Sequence, residues 1–304
     1  MGVSSELTQR TARLGTPTWV RRLGWATLVA NIGIVLTGGA VRLSGSGLGC
    51  PTWPRCTEDS FTPHGALDVH SAIEFGNRTL TFVLIAIAVA TFVSALSTGR
   101  ADLRRPALLL GLSVPAQALL GGLTVLTDLN PWVVAFHLLF SMGIISLAVL
   151  YLHRIGHPAA TAVGGVRVET GAGTHRTLGW STYAVAWVVL ALGTVVTGSG
   201  PHAGDVKAPR NGLDPLQISQ LHADFVFLLV GLTVALAIVH PSRATRTLLG
   251  VELAQGLVGF VQYFTDLPVL LVGLHLLGAS LVAAVVTWVV IETDSRVSSR
   301  AAGR

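Results

Sequence analysis

Charge is the first thing this sequence lacks: Asp, Glu, Lys and Arg make up 12% of its 304 residues, whereas hydrophobic residues make up 51%. A chain so apolar and so weakly charged is not an ordinary soluble domain, and its natural solvent is a lipid bilayer. Cysteine is also scarce, with two residues in all. That scarcity disfavours zinc, which takes four ligands and usually relies on Cys or carboxylate groups.

The hydrophobic residues are gathered into eight runs, each close to the length that crosses a bilayer as a helix. The first run follows a polar leader of 22 residues and is not closed by a small-residue cleavage pattern, so we expect it to remain as a helix. The sequence therefore predicts an all-α integral membrane protein with eight transmembrane helices. The runs lie at 23–42, 73–97, 106–126, 132–152, 180–199, 222–239, 247–265 and 269–291.

The basic residues indicate how the chain is oriented. Fifteen of the 20 Lys and Arg residues lie before the first run, after the second, fourth and sixth runs, or at the end of the chain. Because positive residues accumulate on the cytoplasmic side of membrane proteins, both termini are predicted to be cytoplasmic. The same pattern explains a pI near 10 without nucleic acid as a partner. We predict a multi-pass protein of the cell membrane.

The two cysteines, Cys50 and Cys56, fall in the first outer loop, at 43–69. A disulfide persists under the oxidising conditions outside the cytoplasm. The pair is then either a structural bridge or a redox-active one, since a bond that closes so short a loop adds little to the stability of a large helical protein. Both interpretations stay open at this point.

The second half of the chain repeats the first. Residues 116–129 read AQALLGGLTVLTDL and residues 254–267 read AQGLVGFVQYFTDL, with seven of 14 positions identical at an offset of 138. The same offset relates His137 to His275. We therefore expect two tandem, pseudo-symmetric four-helix bundles.

A weaker match relates the first helices of the two halves, where residues 35–39 (VLTGG) resemble residues 195–199 (VVTGS). The join between the halves is rich in Gly, Ala and Thr and suits a flexible linker. The predicted domains are a cytoplasmic tail (1–22), an N-terminal four-helix bundle (23–152), a cytoplasmic linker (153–179), a C-terminal four-helix bundle (180–291) and a second cytoplasmic tail (292–304).

Four of the ten histidines lie at or near the outer ends of the even-numbered helices: His70, His137, His222 and His275. His137 and His275 lie about 10 Å along their helices, where an ionisable side chain is costly unless it is paired or binds a metal. One such histidine alone is explained as well by a hydrogen bond to a neighbouring helix, but its recurrence in both halves favours a metal centre. Two facing imidazoles suit haem iron, which accepts one axial nitrogen on each face. We therefore predict a bis-histidine haem site made by His222 and His275.

The first half is less regular. His137 is its one firm candidate for an iron ligand, and Asn77 stands where a second ligand is expected. His70 lies about 10 Å further out and would need a shifted helix register to take that place. Because a haem with one firm ligand is easier to load and release, we predict a substrate haem in the first half and a resident cofactor in the second.

Three charged residues complete the candidate set. Glu74 lies at the outer mouth of the first bundle, where it is either paired with Arg78 at i+4 or free for acid or base work on a haem substituent. Arg42 and Arg78 are candidates to hold haem propionates, because a guanidinium matches a carboxylate in a fork geometry.

Several motifs of the chain resemble those of the haem A synthases. The resemblance runs through nearly the whole chain, apart from the tails and the middle linker. The chain departs from the family pattern at Asn77, where the family often has histidine. The matching segments are 38–42 (GGAVR), 44–51 (SGSGLGCP), 53–54 (WP) with Cys56, 74–78 (EFGNR) and 197–205 (TGSGPHAGD), together with His137, His222 and His275.

The resemblance implies a membrane oxidoreductase that oxidises the C8 methyl group of haem O to the formyl group of haem A through successive hydroxylations, for terminal oxidase assembly. It implies a haem b held in the second half by His222 and His275 and a haem O received in the first half. It also implies a functional cysteine pair in the outer loop and Glu74 as the catalytic carboxylate. The implied partners are a membrane enzyme that produces haem O and an electron acceptor, for which a quinone is a candidate.

Two other functions share much of this pattern. A non-catalytic dihaem cytochrome that exchanges electrons with quinone would show the same histidines, although Glu74 and the unequal ligation of the first half favour an enzyme. A membrane transporter would also use duplicated bundles but would not bind haem stably. The sequence leaves assembly into a homo-oligomer open.

Overall fold

The computed structural model describes residues 15–63, 69–157 and 173–294. The predicted tails, the linker and the first outer loop lie partly outside these ranges. The described residues form eight long α-helices and contain no strand, so the all-helical prediction is confirmed. In chain order the helices are α1 (Pro17–Leu43), α2 (Val69–Ser97), α3 (Ala101–Leu126), α4 (Pro131–Gly156), α5 (Thr174–Ser199), α6 (Pro215–Val239), α7 (Arg243–Phe264) and α8 (Val269–Asp294).

Seven of these eight helices are long and apolar enough to cross a membrane, and the chain is a multi-pass membrane protein. The helix outside that set is α7, which corresponds to the predicted run 247–265. It has 22 residues and therefore the length of a span, but Arg243, Arg246 and Glu252 lower its hydropathy.

Capping residues set where several helices begin. Asn130 accepts a hydrogen bond from the backbone N–H two residues on, and Pro131 occupies the first position of α4. Asp214 and Pro215 do the same for α6, which starts seven residues before the predicted run at 222–239. An Asn or Asp cap followed by Pro satisfies the free N–H groups of the first turn, so these helices extend beyond their apolar stretches.

Large apolar side chains cover the outside of the helices. Phe82, Ile238 and Phe264 are 72%, 75% and 76% exposed, respectively. Exposure of such side chains to water would be costly, whereas lipid tails are a suitable environment for them. The outer surface of the helices is therefore the surface that meets the bilayer.

The helices contact one another in two rings of four. In the first ring α1 contacts α2 and α4, and α3 contacts α2 and α4; in the second, α5 contacts α6 and α8, and α7 contacts α6 and α8. The rings meet through α1, α4, α5 and α8. Met142, Ile145 and Tyr151 are fully buried in the first ring, and Leu236 and Leu248 in the second.

The loop between α5 and α6 connects the two rings at one end of the helices. The Gly47 N–H of the first loop donates to the Gly204 carbonyl at 2.8 Å, and a β-carbon at Gly47 would lie 3.0 Å from that oxygen. His202 Nε2 donates to the Leu267 carbonyl at 2.9 Å. The loop is thus held by residues of both halves.

The repeat is visible in the backbone of two turns. Asp128 and Leu129, between α3 and α4, have φ values of 51° and 58°, and Asp266 and Leu267, between α7 and α8, have values of 58° and 57°. Two successive non-glycine residues with positive φ are uncommon, and their recurrence supports a common origin of the two turns.

Candidate functional site

His222 of α6 and His275 of α8 face each other inside the second ring. Their ring centres are 6.5 Å apart and their planes are inclined by 72°. Because a metal–imidazole bond is about 2 Å long and a ring centre lies roughly 1 Å beyond the nitrogen, two imidazoles on one metal have centres roughly 6 Å apart. The spacing of His222 and His275 fits an iron atom bound between them.

Each of these two imidazoles packs on a glycine of the preceding helix. A β-carbon at Gly193 of α5 would lie 3.3 Å from His222 Cε1, and one at Gly259 of α7 would lie 3.3 Å from His275 Cε1. Any larger residue would press on the imidazole. The two glycines therefore leave room for the rings and fix where they stand.

Within the two bundles, three histidines have a buried Nδ1 atom that makes no hydrogen bond to a side chain or backbone group of the described residues. They are His137, His222 and His275, each at Nδ1, and the His222 ring also lies close enough to the Val189 backbone to interact with it. A buried polar atom without a partner costs free energy, so such atoms mark a function that the protein chain alone does not complete. No group of three or more His, Cys, Asp or Glu side chains that could hold a metal ion occurs in the described ranges.

The first ring repeats this arrangement with one substitution. A β-carbon at Gly121 of α3 would lie 3.4 Å from His137 Cε1, and one at Gly38 of α1 would lie 4.0 Å from Asn77 Nδ2. Asn77 thus takes the place on α2 that His222 takes on α6. The Thr37 hydroxyl donates to Asn77 Oδ1 at 2.7 Å.

The glycines revise the correspondence between α1 and α5. Gly38 plays the part of Gly193, whereas the motif match at 35–39 and 195–199 suggested Gly198. Gly24 and Gly179 agree with the revised register, since Gly24 packs on Ile155 and Gly179 on Thr293, the position that the offset of 138 relates to Ile155. The offset for these helices is therefore five residues smaller than the motif suggested.

Two glutamines bond the backbone of the histidine helices. Gln255 Nε2 donates to the His275 carbonyl at 2.8 Å. Its repeat counterpart, Gln117, donates to Ser141 and more weakly to the His137 carbonyl at 3.4 Å. These interhelical hydrogen bonds fix the axial position of α8 relative to α7 and of α4 relative to α3.

Glu74 is buried, with 5% of its surface exposed, and both of its oxygens have partners. Oε2 accepts from the Cys50 N–H at 2.6 Å, and Oε1 accepts from Arg78 Nη2 at 2.5 Å. Arg78 also donates to the carbonyls of Cys50, Thr52 and Arg55 at 2.8–3.1 Å. Apart from the Glu74–Arg78 pair, which lies within α2, these bonds join α2 to the loop that carries Cys50 and Cys56, here called the cysteine loop. The Arg78 guanidinium is therefore engaged by Glu74 and the loop rather than free for a propionate.

The cysteine loop lies against the first ring. Cys50 and Cys56 form a disulfide and are both buried. The Trp53 ring occupies the space beside Gly122 of α3, where a β-carbon would overlap it. His70, at the start of α2, is exposed and bonds Ser46 through Nδ1 at 2.9 Å, so its ring is engaged with the loop.

Arg42 lies between the halves. Its Nε donates to the His202 carbonyl at 2.6 Å and its Nη2 to the Thr197 carbonyl at 3.0 Å. Together with Arg210 and the loop at 201–206 it lines an open cavity of about 390 Å³. Arg42 therefore links the two halves and lines this cavity, to which Arg210 and Asp205 contribute charges of opposite sign.

Sequence reasoning missed one buried carboxyl group. Glu252 of α7 is 3% exposed; its Oε1 accepts from Thr233 at 2.8 Å and its Oε2 has no partner among the described residues. A signal was present, since an acidic residue within the run 247–265 is unusual. The glycines that pack on His137, His222, His275 and Asn77 were missed as well. A signal existed for two of them, since Gly121 and Gly259 are an identical pair of the repeat and each lies 16 residues before its histidine.

Comparison with known proteins identifies related chains. The model of the COX15-CtaA family, described as cytochrome oxidase assembly proteins, matches residues 21–72 and 65–206, which is more than half of the chain. The Geobacillus thermodenitrificans heme A synthase is 33% identical over 140 residues, or 43% of this chain and 42% of that protein. The Shewanella oneidensis heme A synthase is 32% identical over 152 residues, or 45% of each.

A protein with another name also matches. The Thermus thermophilus protoheme IX farnesyltransferase is 36% identical over 84 residues, which are 27% of this chain and 14% of that protein. The matched part of this chain spans less than half the length of each of these curated relatives.

Proposed function

Because the chain belongs to the COX15-CtaA family of cytochrome oxidase assembly proteins, we propose that it is a haem A synthase, which oxidises the C8 methyl group of haem O to a formyl group for terminal oxidase assembly. Two relatives that bear the name heme A synthase support this proposal. The facing imidazoles of His222 and His275, 6.5 Å apart, are the observation that carries it.

The second half holds the resident haem b. His222 and His275 would hold its iron, and Gly193 and Gly259 keep the two imidazoles in position. The haem supplies reversible one-electron chemistry when bound. The residues around it keep water away and keep the imidazoles at a fixed separation, so that bis-histidine ligation is maintained.

The first half receives haem O. His137 would hold its iron, and Asn77 occupies the position in the first half that His222 occupies in the second. Glu74 accepts a proton as the methyl carbon is oxidised, which requires its carboxylate to exchange the Cys50 or Arg78 bond for one to the substrate. The cysteine loop, which carries Cys50 and accepts three hydrogen bonds from Arg78, lies over the same end of the bundle and limits the access of water.

The topology follows from the contact rings and the distribution of basic residues. Each ring is a four-helix bundle related to the other by the internal repeat, both termini are cytoplasmic, and the cysteine loop is extracytoplasmic. The substrate comes from a membrane enzyme that makes haem O, and electrons pass to an acceptor such as a quinone. The match to a protein named protoheme IX farnesyltransferase supports the first of these partners.

The direct test adds haem O and a quinone to the purified full chain under aerobic conditions and analyses the extracted pigment by mass spectrometry. We expect haem A from the unchanged chain, none from His137→Ala, and an undiminished yield from His157→Ala, whose exposed side chain lies outside both sites. Bound haem with a normal spectrum but no haem A would instead support the dihaem cytochrome. A well-folded chain without any Soret band would support the transporter.

A further inference from the structure

The first ring of helices has Asn77 at the position where the second ring has the candidate iron ligand His222. Gly38 and Asn77 repeat the geometry of Gly193 and His222, so the amide stands where an imidazole stands in the other half. An amide is a poor ligand for haem iron, which prefers imidazole nitrogen or thiolate. Asn is also about one bond shorter than His, counted from the β-carbon to the terminal nitrogen.

A hydrogen bond to α1 fixes the orientation of the Asn77 side chain. Its Oδ1 accepts the Thr37 hydroxyl at 2.7 Å, which ties the amide to α1. In the second ring the residue that precedes Gly193 is Leu192, which offers no such bond. The Nδ2 amino group makes no hydrogen bond within the described ranges. It is not one of the fully buried polar atoms that lack a partner, so it is accessible. It therefore remains a donor for something that enters the bundle.

We propose that Asn77 is a specificity-determining residue that keeps one coordination position of the first-half haem open to a small exogenous ligand and donates a hydrogen bond to it. This inference rests on the proposed function, because it takes haem as the occupant of the first half. His137 is then the single axial ligand, and the two haem sites differ in kind: the second is closed on both faces and the first is open on one.

The difference has a chemical consequence. A haem with imidazole on both faces exchanges electrons but does not admit a diatomic ligand without losing an axial bond. A haem open on one face admits such a ligand, and a nearby N–H group stabilises negative charge on its outer atom. Asn77 thus selects a ligand-binding role for the first half.

Carbon monoxide is the probe. The reduced full chain in detergent, loaded with haem O, is titrated with carbon monoxide and followed by its Soret difference spectrum. We expect the unchanged chain to bind carbon monoxide at the first-half haem only. Asn77→His should close the open face with a second imidazole and lower the affinity for carbon monoxide by at least about tenfold, with a shift to a low-spin spectrum.

The hydrogen bond is tested separately with Asn77→Leu, which keeps the number and branching of the side-chain heavy atoms and removes the donor together with the acceptor of the Thr37 hydroxyl. It should still bind carbon monoxide, with a higher C–O stretching frequency and an affinity for dioxygen lower by about 2- to 10-fold. Thr37→Val is the matched control: it removes the hydroxyl that bonds Asn77 but keeps the Asn77 amide. This variant should shift the C–O stretching frequency less than Asn77→Leu does.

The outcomes separate this inference from the proposed function. If the unchanged chain binds haem through His137 but excludes carbon monoxide, or if Asn77→His binds carbon monoxide as well as the unchanged chain does, the open face is disproved. An unchanged C–O stretching frequency in Asn77→Leu disproves the hydrogen bond. If His137→Ala retains the full haem content, the first half holds no haem, and the proposed function fails together with the inference.

Discussion

Glu74 Oε2 lies 2.6 Å from the backbone nitrogen of Cys50, so a buried carboxylate in α2 holds the first cysteine of the disulfide. The bond uses the backbone of Cys50 and not its sulfur. The same carboxylate is paired with Arg78, which itself donates to three carbonyls of the loop. Glu74 therefore has a structural task in addition to the catalytic one proposed for it, and the two tasks must be tested apart.

Glu74→Gln separates the proton-accepting role from the loop. Glutamine keeps an oxygen for the Cys50 N–H but takes up no proton, so we expect conversion of haem O to fall by roughly 100-fold or more, in line with the loss of a general base. The haem bound by His222 and His275 should be unaffected. Both effects are measured on one preparation, by pigment extraction and by the Soret spectrum.

Arg78→Met is the matched control for that substitution. It removes the ion pair and the three carbonyl contacts but leaves the carboxylate in place. We expect a looser cysteine loop, seen as faster proteolysis, and a smaller loss of conversion than in Glu74→Gln. A loss as large as that of Glu74→Gln would mean that Glu74 acts only by anchoring the loop.

The cysteines provide a second test. In Cys50→Ser the backbone contact to Glu74 remains available, so we expect the second-half haem content to stay the same. The covalent closure of the six-residue separation is lost, which removes roughly 2 kcal/mol from the loop by the chain-entropy argument. If the pair is structural, conversion should survive in the Cys50→Ser and Cys56→Ser double variant at low temperature. Complete loss of conversion with an ordered loop would indicate a redox role.

The sequence predicted the elements of this fold better than their relations. Hydropathy locates the helices because a bilayer demands long apolar runs. The predicted starts of α2 and α6 are late because both helices extend into more polar sequence, and α6 is capped there by Asp214. The apolar run 247–265 predicted a span, whereas α7 is more polar: its first turn carries the exposed Arg243 and Arg246, and the buried Glu252 bonds Thr233 inside the second ring.

The relation of His222 and Asn77 to their glycines was beyond the sequence. His222 and Gly193 are 29 residues apart, but Asn77 and Gly38 are 39 apart, so no fixed spacing connects them. The motif match between α1 and α5 even suggested a register that differs by five residues. Only the packing of side chains across helices shows that Asn77 stands at the position of His222.

Gly259 tests whether that packing controls haem binding. In Gly259→Val the added side chain would meet the His275 ring, since even a β-carbon would lie 3.3 Å from Cε1. An imidazole fixed to iron cannot retreat, so we expect the low-spin haem content to fall by several-fold. Gly256→Val, on the same helix, is the control, because nothing lies within 4 Å of its added β-carbon. Equal haem content in the two variants would show that His275 does not need this glycine.

Arg42 joins the first half of the chain to the second through its guanidinium group. Arg42→Met removes the donors for the His202 and Thr197 carbonyls. A part-buried carbonyl that loses its donor costs about 1–3 kcal/mol, so we expect a clear drop in the unfolding temperature in detergent. Arg210→Met is the comparison, since this exposed arginine bonds only carbonyls of its own loop, and it should change the unfolding temperature little. If Arg42 serves instead to hold a haem propionate, Arg42→Met should lose haem while keeping its unfolding temperature.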